Sequence, residues 1–488
     1  MSMNRREFLT AAGLATASAI CCSNVSRQSE QETLSQLRNS FKGTIISPGD
    51  INYDRARMIA SFNPRSDKHP RLIARCLNSD DVVRALEFAR LQSLEIAVRA
   101  GGHDLLGASV CEGGIVIDVS QMKSIVVDRE HRTARVEAGV RSRDLNAATS
   151  ADGLAPVLGC NPAVGVAGLT LGGGLGWFLG KFGAACDNLL AAQIISADGK
   201  ILRASADENA ELFWALRGGG GNFGIVTNLE YRLHPIENVL GGAIAFRGDL
   251  RSFMRFYRDF MKAAPDNLAI EMSIIMLDQP VILCTVCWSG EVAEGERVLK
   301  PFREFGPPVA DQIHAVSYEH LTDRPGPEFS ARVFGLPPAA PPAPGLVYDY
   351  WRGGSLKELS DQAIGQIVAA VSGATRGMSV GIGHYMHGQI CRVDDDATAL
   401  PRIAGQFTYF FDANWRNAER AEGSIGWVNN SWSAMQPFSS AGTYVNYLSN
   451  DSQEAVRASY RENYQKLVAL KRKYDPLNVF HLNRNIRP

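Results

Sequence analysis

The sequence predicts an α+β protein of more than one domain, on three observations. At 488 residues the chain exceeds what one ordinary core holds, so two or three domains are expected. From about residue 70 to 240, short apolar strands alternate with amphipathic helices, and from about 241 to 440 the strands lengthen and are better separated by helices. Hydrophobic residues at 45% and charged ones at 21% complete the profile of a soluble globular chain.

The charge balance excludes some functions. With 50 basic and 51 acidic side chains and no long basic run, neither nucleic acid nor an anionic membrane is expected as main partner. Beyond residue 30 no uninterrupted apolar span reaches bilayer length. Residues 1–30 stand apart: Arg5 and Arg6 precede Phe8, Leu9 and a small-residue apolar stretch, which resembles a twin-arginine signal peptide with Asn4 where Ser or Thr is commoner. Export to the periplasm or medium is the expectation. Ser18, three before Cys21, is a poor match to a lipid-attachment box.

Each element follows from its residues. "DDVVRALEFARLQ" (80–92) has apolar positions at helical spacing, with Ser79 or Asp80 as cap. "LEIAVR" and "GIVIDVS" read as strands, and "RTARVEAGV" (132–140) alternates as a half-exposed one. "GLPPAAPPAPG" (335–345) is expected to be a surface excursion. A helix is expected from Ser452 to Lys473, its terminal Lys471, Arg472 and Lys473 suiting the negative end of its dipole, with Asp475–Pro476 as the stop. Past the signal segment seven cysteines remain at irregular spacing, no disulfide framework, and Cys284 and Cys287 lie within a strand-like run without a second ligand pair. No metal site is expected. His384 and His387 lack a carboxylate or third histidine at suitable spacing.

Glycine crowds into three places. "VRAGGHD" (98–104) puts Gly101, Gly102 and His103 directly after a strand, where the bare backbone turns sharply and approaches a ligand closely. "VGVAGLTLGGGLGWFLGKFG" (164–183) sets Gly172, Gly173, Gly174 and Gly176 among apolar residues, and "GGGGNFG" (218–224) satisfies GxGxxG. The latter follows a helix-like run and precedes a strand-like one, the reverse of a dinucleotide fingerprint. One cluster alone is an ordinary tight turn. Three within about 125 residues point to backbone held against a large nucleotide-like cofactor.

With these motifs, and with "GGIVIDVSQM", "ISADGKILRASADENAELFWALRGGGGNFGIVT", "YVNY" and "LKRKYDPLNVFHLNRNIRP", the chain resembles the FAD-linked oxidoreductases of the vanillyl-alcohol oxidase type, in the berberine bridge enzyme-like branch. The resemblance covers about 70–240 and 380–488. It implies a two-part, PCMH-type FAD-binding domain from the N- and C-terminal portions and an inserted substrate domain around an antiparallel sheet. The corresponding boundaries are an extension over 31–66, the FAD-binding domain over 67–240, the substrate domain over 241–440 and a returning segment over 441–488.

The same resemblance implies that His103 carries a covalent bond to the flavin, with Arg99, Ala100, Gly101 and Gly102 along the pyrophosphate and Asp104 beside them. It also assigns cofactor contacts to Gly165, Val166, Gly168, Leu169, Gly172, Gly173, Gly174, Gly176, Asn222, Gly224, Ile225 and Val226, and places Asn483 at the pyrimidine side. Cys160 is the candidate for a second covalent link, though one residue more than usual separates it from the Val-Gly pair; a free buried thiol is the alternative. The implied reaction removes a hydride from an alcohol or sugar hydroxyl carbon, or across a C–N bond, with dioxygen as acceptor. A dehydrogenase with another acceptor and a non-catalytic flavin carrier are the alternatives. Such a reaction needs a base. Tyr447 is the candidate and Tyr444 its neighbour, and the run "GTYVNYLSN" (442–450), taken as a strand, puts them on opposite faces. To serve, the Tyr447 phenol must be lowered by a nearby cation or the flavin, and the alternative is that both rings merely pack.

Overall fold

Three apolar tetrapeptides, "LIAR", "IVID" and "IAVR", make the first sheet of the computed structural model, which describes residues 32–104, 106–236, 238–321, 327–335, 347–448 and 452–488. The signal-like segment and residues 336–345 of the proline-rich stretch lie outside the described residues. Leu72–Arg75 and Ile96–Arg99 flank Ile115–Asp118 in parallel, and Thr44–Ile46 adds an antiparallel edge. Parallel strands covered on both faces read as continuous apolar runs, as these do. The helix Ser79–Leu91 is capped by Asn78, whose side chain accepts from the Asp81 amide, one position earlier than expected. Asp81 is buried and accepts from the amides of Lys42, Gly43 and Leu77.

The second sheet is antiparallel, in the order Ile125–Asp128, Thr133–Glu137, Ile225–Pro235, Leu189–Ile195, Ile201–Ser205, with Leu154–Pro156 pairing the long central strand. A third sheet of eight strands is built from residues 238–415: Ala310–Asp311, Asn238–Phe246, Pro280–Trp288, Leu268–Met276, Met378–Tyr385, Phe407–Trp415 and Tyr348–Leu356 in order, with His314–Ser317 also pairing Asn238–Phe246. Helices Leu250–Lys262, Val292–Arg303, Asp361–Ser372 and Ala421–Met435 pack on one face of it. The other face looks toward the glycine loops of the first half. The α+β expectation therefore holds, with an antiparallel-sheet portion inserted between the N-terminal sheets and the C-terminal helices.

Cys284 and Cys287 fall on opposite faces of Pro280–Trp288, one in the helix-covered core and one against Trp177, Phe178 and Tyr318, so they cannot converge on a metal. All seven described cysteines are unpaired thiols. No helix of the described residues is long and apolar enough to cross a membrane.

The C-terminal helix differs from expectation. It is two helices, Gln453–Tyr460 and Tyr464–Tyr474, broken where Arg461 takes φ 49°. Tertiary bonds account for the break: the Asn463 side chain donates to the carbonyls of Asp395 and Thr398. Lys471 does more than face a helix dipole. Fully buried, it donates to Asp475 at 2.6 Å, to the Asn222 carbonyl at 2.8 Å and to the Phe480 carbonyl at 2.9 Å. Asp475 also accepts from the Val479 and Phe480 amides. Removing one partner of such a pair leaves an uncompensated buried charge, which costs about 3–5 kcal/mol. Lys471→Met and Asp475→Asn are each expected to lose stability on that scale in denaturant unfolding, with the double variant losing less than the sum. Strict additivity would show that the two groups are not coupled.

Candidate functional site

The strand Ile96–Arg99 ends in a turn that only glycine permits. Gly102 has φ +66°, and a Cβ on Gly101 would lie 2.5 Å from the Gly165 amide nitrogen; a Cβ on Gly165 would meet Gly101 in turn. Two backbone segments thus touch directly, and His103 emerges beside them into a cavity of about 660 Å³. Asp104 fixes this turn by accepting from the Leu106 and Ala108 amides and from Arg484, a close ion pair. Burial alone would raise its pKa, but the Arg484 guanidinium and the amides hold it below the usual carboxylate range. Burial lowers the pKa of His103, so its imidazole is neutral at pH 7.

Of the expected cofactor residues, Ala100, Gly101, Gly102, His103, Asp104, Cys160, Gly165, Gly168, Leu169, Asn222, Gly224, Val226 and Asn483 line this cavity, as do Tyr444 and Tyr447. Seven do not. The Arg99 guanidinium turns away to the carbonyls of Ala56, Arg57 and Ser109. Val166 and Ile225 point into the core. Gly172, Gly173, Gly174 and Gly176 form a layer behind the wall. A Cβ at Gly172 would lie 2.1 Å from the Asn446 side chain, one at Gly173 3.2 Å from the Tyr444 ring and one at Gly176 1.8 Å from the Leu158 carbonyl. The Gly174 amide donates to the Tyr444 hydroxyl at 2.8 Å. Gly172 and Gly173 make room for the tyrosine loop, while Gly174 and Gly176 make room for Ala185 and the Leu158 carbonyl. Asn222 lines the cavity but spends its amide on the chain, donating to the Gly219 and Arg484 carbonyls and accepting from the Ile486 amide.

The opposite wall was invisible locally. It is one face of the third sheet, contributing Glu271, Asp349, Trp351, His384, Phe410, Asp412 and Asn414. In Phe407–Trp415 the odd positions are core and the even ones face the cavity side, so Phe410, Asp412 and Asn414 align by period two. That alternation, with polar residues where a core strand would be apolar, was the available signal. His384 needs an irregularity. Met378, Val380 and Ile382 face the core, and a register shift between Ile382 and Tyr385 returns Tyr385 to the core and turns His384 to the cavity. His387 goes elsewhere, 3.4 Å from the Pro265 carbonyl.

Contrary to the local spacing argument, His384 does have a carboxylate beside it. Glu271 lies 3.5 Å from its Nε2, and Cys160 Sγ is 3.5 Å from the same atom. The donor atoms of these three residues lie within 4.8 Å of one another, the one such donor group among the described residues. Burial, then Glu271, pushes the Cys160 thiol well up.

Residues 444–448 are a helical turn and not a strand: Val445–Tyr447 is 3₁₀, so Tyr444 and Tyr447, three apart, share a face. Their rings meet edge to face at 5.2 Å. Asn446 donates to the Tyr444 hydroxyl at 2.8 Å and to the Leu169 carbonyl. Of the cation or flavin expected to lower Tyr447, no cation acts on it among the described residues. Its phenol is instead driven well above its ordinary pKa by burial, then by Glu271, Cys160 and Tyr444. Tyr444 is pushed up to about 12, mainly by burial. Asp412 is also raised, by burial and then by the Asp349 carboxylate.

The wall fits a flat, polar cofactor at the glycine end. Ser109 Oγ, Tyr460 Oη and Asn483 Oδ1 are buried there without partners, while the Asn483 amide is already bonded to the Gly221 carbonyl at 2.8 Å. The space over Gly168 is open.

Comparison with known proteins agrees. An FAD-binding domain model matches residues 70–205, and a berberine and berberine-like model matches 443–487. The FAD-linked oxidoreductase YvdP of Bacillus subtilis is 30% identical over 461 residues, 91% of this chain and 98% of its own. The (R)-6-hydroxynicotine oxidase of Paenarthrobacter nicotinovorans is 36% identical over 288 residues, 58% of this chain and 62% of its own. Among solved structures, 6-hydroxy-D-nicotine oxidase from Arthrobacter nicotinovorans superposes with TM-score 0.82 at 29% identity, covering 92% of this chain and 98% of that one. Glucooligosaccharide oxidase from Acremonium strictum, which carries a 6-S-cysteinyl, 8α-N1-histidyl FAD, shares the fold at TM-score 0.78 and 22% identity, over 93% and 99%. The cavity pairs bare backbone on one side with an acidic, aromatic sheet face on the other, and the chain that builds it belongs to the FAD-linked oxidoreductases of the berberine bridge enzyme-like family.

Proposed function

We propose that this protein is an oxidase that removes a hydride from a carbon bearing a hydroxyl or an amine nitrogen and releases hydrogen peroxide. The observation that carries this reading is the acid–base group of Glu271 and His384 on the sheet wall that faces the glycine loops, with Tyr447 beside them on its turn. When bound, FAD supplies the two-electron acceptor and returns the electrons to dioxygen. The chain supplies the rest. Ala100 to His103 and Gly165 to Leu169 hold the cofactor through closely apposed backbone, and Asn483 and Tyr460 offer it polar atoms that have no other partner.

His103, neutral and nucleophilic at pH 7, is the covalent attachment point in this proposal. Cys160 is held as a thiol by burial and Glu271, which disfavours the thiolate that a second link needs. The proposal is therefore one link. For proton transfer, Tyr447 remains protonated and hydrogen-bonds the substrate heteroatom, while the Glu271 carboxylate takes the proton that leaves it. Export through the twin-arginine route rests on Arg5 and Arg6.

Denatured protein is expected to keep one flavin mass in the wild type and in Cys160→Ser and to lose it in His103→Ala; retention in His103→Ala, or a flavin bound at Cys160, refutes the single link. Glu271→Gln and Tyr447→Phe are expected to bind flavin normally while substrate reduces it about 10²–10⁴-fold more slowly, as loss of a general acid–base group does. Peroxide formed in air in step with substrate use separates an oxidase from a dehydrogenase. In fractionated cells, replacing both Arg5 and Arg6 by Lys is expected to trap the protein in the cytoplasm, and unaltered distribution would rule out that route.

A further inference from the structure

Three donors of different chemistry meet at one point of the cavity wall, and the oxidase reading gives them no joint role. Glu271 comes from Leu268–Met276, His384 from Met378–Tyr385 and Cys160 from the loop that follows Leu154–Pro156. The two strands pair directly, with Met272 opposite Ile382, and Glu271 leaves on the face away from the helix-covered core. The register shift that turns His384 to the same face completes the group.

Their spacing is that of a coordination shell. His384 Nε2 lies 3.5 Å from Glu271 Oε1 and 3.5 Å from Cys160 Sγ, and the three donor atoms fall within 4.8 Å of one another. Around tetrahedral zinc, nitrogen and oxygen at about 2.0–2.1 Å and sulfur at about 2.3 Å stand about 3.3–3.6 Å from each other. The two edges that meet at Nε2 already have that length. A side-chain rotation of Glu271 closes the third.

Charge and access favour an ion there. Among the described residues that line the cavity, the one Lys or Arg is Arg484, and it is committed to Asp104 and to the Leu448 carbonyl. Glu271, Asp349 and Asp412 therefore have no lysine or arginine in the cavity to answer them. His384 is 7% exposed and so held in place, while the Glu271 side chain is 31% exposed and opens to the cavity, which gives an ion its way in. A thiolate beside an imidazole selects zinc over magnesium or calcium, which take oxygen ligands. Thiolate and carboxylate together cancel its two charges.

A metal-bound histidine usually donates through its second nitrogen to an acceptor. Nδ1 of His384 is buried without one. With three protein donors and that support missing, the ion is held reversibly, unlike the zinc of a closed four-ligand structural site.

We propose that Cys160, Glu271 and His384 form a reversible zinc site that switches the reaction off. Zn²⁺ binds the sulfur, a carboxylate oxygen and Nε2, the thiol proton passes to solvent and a water takes the fourth position; no electron is transferred. The ion then occupies the carboxylate that would accept the substrate proton. The inhibition rests on the oxidase reading, and the binding rests on Cys160 being a free thiol.

The test takes the flavin-loaded protein, strips it with a chelator and titrates it with zinc chloride by calorimetry. A single zinc per chain is expected. Its affinity should fall at least about tenfold in Cys160→Ser and in His384→Ala. It should hold in His387→Ala, whose imidazole lies elsewhere, by the Pro265 carbonyl. Cobalt(II) chloride in place of zinc should give the wild type the absorption of a tetrahedral thiolate complex at wavelengths beyond the flavin bands, a readout that needs no variant to fold. No bound zinc, equal affinity in Cys160→Ser, or a cobalt spectrum without thiolate character overturns the proposal. A flavin mass at Cys160 removes the thiol and overturns the site together with the single link. Failure here and failure of the oxidase reading look different. Zinc that does not bind, in a protein whose Glu271→Gln variant is slow, overturns the site and spares the oxidase; zinc that binds as expected to a protein whose flavin no substrate reduces does the reverse.

Discussion

The site depends on one ion pair, Arg484 with Asp104. Asp104 anchors the turn that carries His103, and the Arg484 guanidinium reaches at the same time to the carbonyl of Leu448, at the end of the turn that carries Tyr444 and Tyr447. Three segments far apart in sequence, the first glycine loop, the tyrosine turn and the last residues of the chain, are thereby set by one planar cation. Arginine suits that task because its fork of donors keeps fixed angles where a lysine would not. The pair is nearly closed to water, so each partner needs the other: a lone buried charge at either position would cost several kcal/mol. Lys471 and Asp475 repeat the device in the same C-terminal tail, gripping Asn222 and Phe480, both of which line the cavity.

What was legible in the sequence was the backbone side of the site. Gly101 and Gly165 are needed where main chain touches main chain and Gly102 where the turn takes φ +66°, and a glycine demanded in this way leaves a mark that needs no tertiary knowledge. The same signal misled at Gly172 to Gly176. Those residues are bare for the sake of Asn446, Tyr444 and Leu158, neighbours that composition cannot reveal. The tyrosine turn was misread as a strand because a single 3₁₀ turn has too few residues to show a period, and its identity comes from the bond between the Gly174 amide and Tyr444.

The side-chain wall was hidden for a different reason. Glu271, Asp349, His384 and Asp412 come from four strands, and apart from the alternation that marks Asp412 each looks ordinary within its own strand. Only the register of the sheet brings them together. His384 depends further on one bulge, without which period two would turn it into the helix-covered core and Tyr385 to the cavity. An irregularity of one residue thus determines whether an imidazole stands beside Glu271 and Cys160.

These two halves divide the electrostatic work. The glycine side meets its ligand with backbone dipoles and without a free lysine or arginine, while the sheet side concentrates carboxylates. Burial first, and the neighbouring carboxylates second, raise the Tyr447 phenol, the Cys160 thiol and Asp412. A tyrosine in such surroundings is a hydrogen-bond donor at neutral pH, and a cysteine there stays a thiol. In the proposed reaction the choice of base therefore follows from the wall and not from the tyrosine itself. A buried phenol beside a carboxylate is the weaker candidate for proton acceptor, and the proposal gives that role to the carboxylate that crowds it.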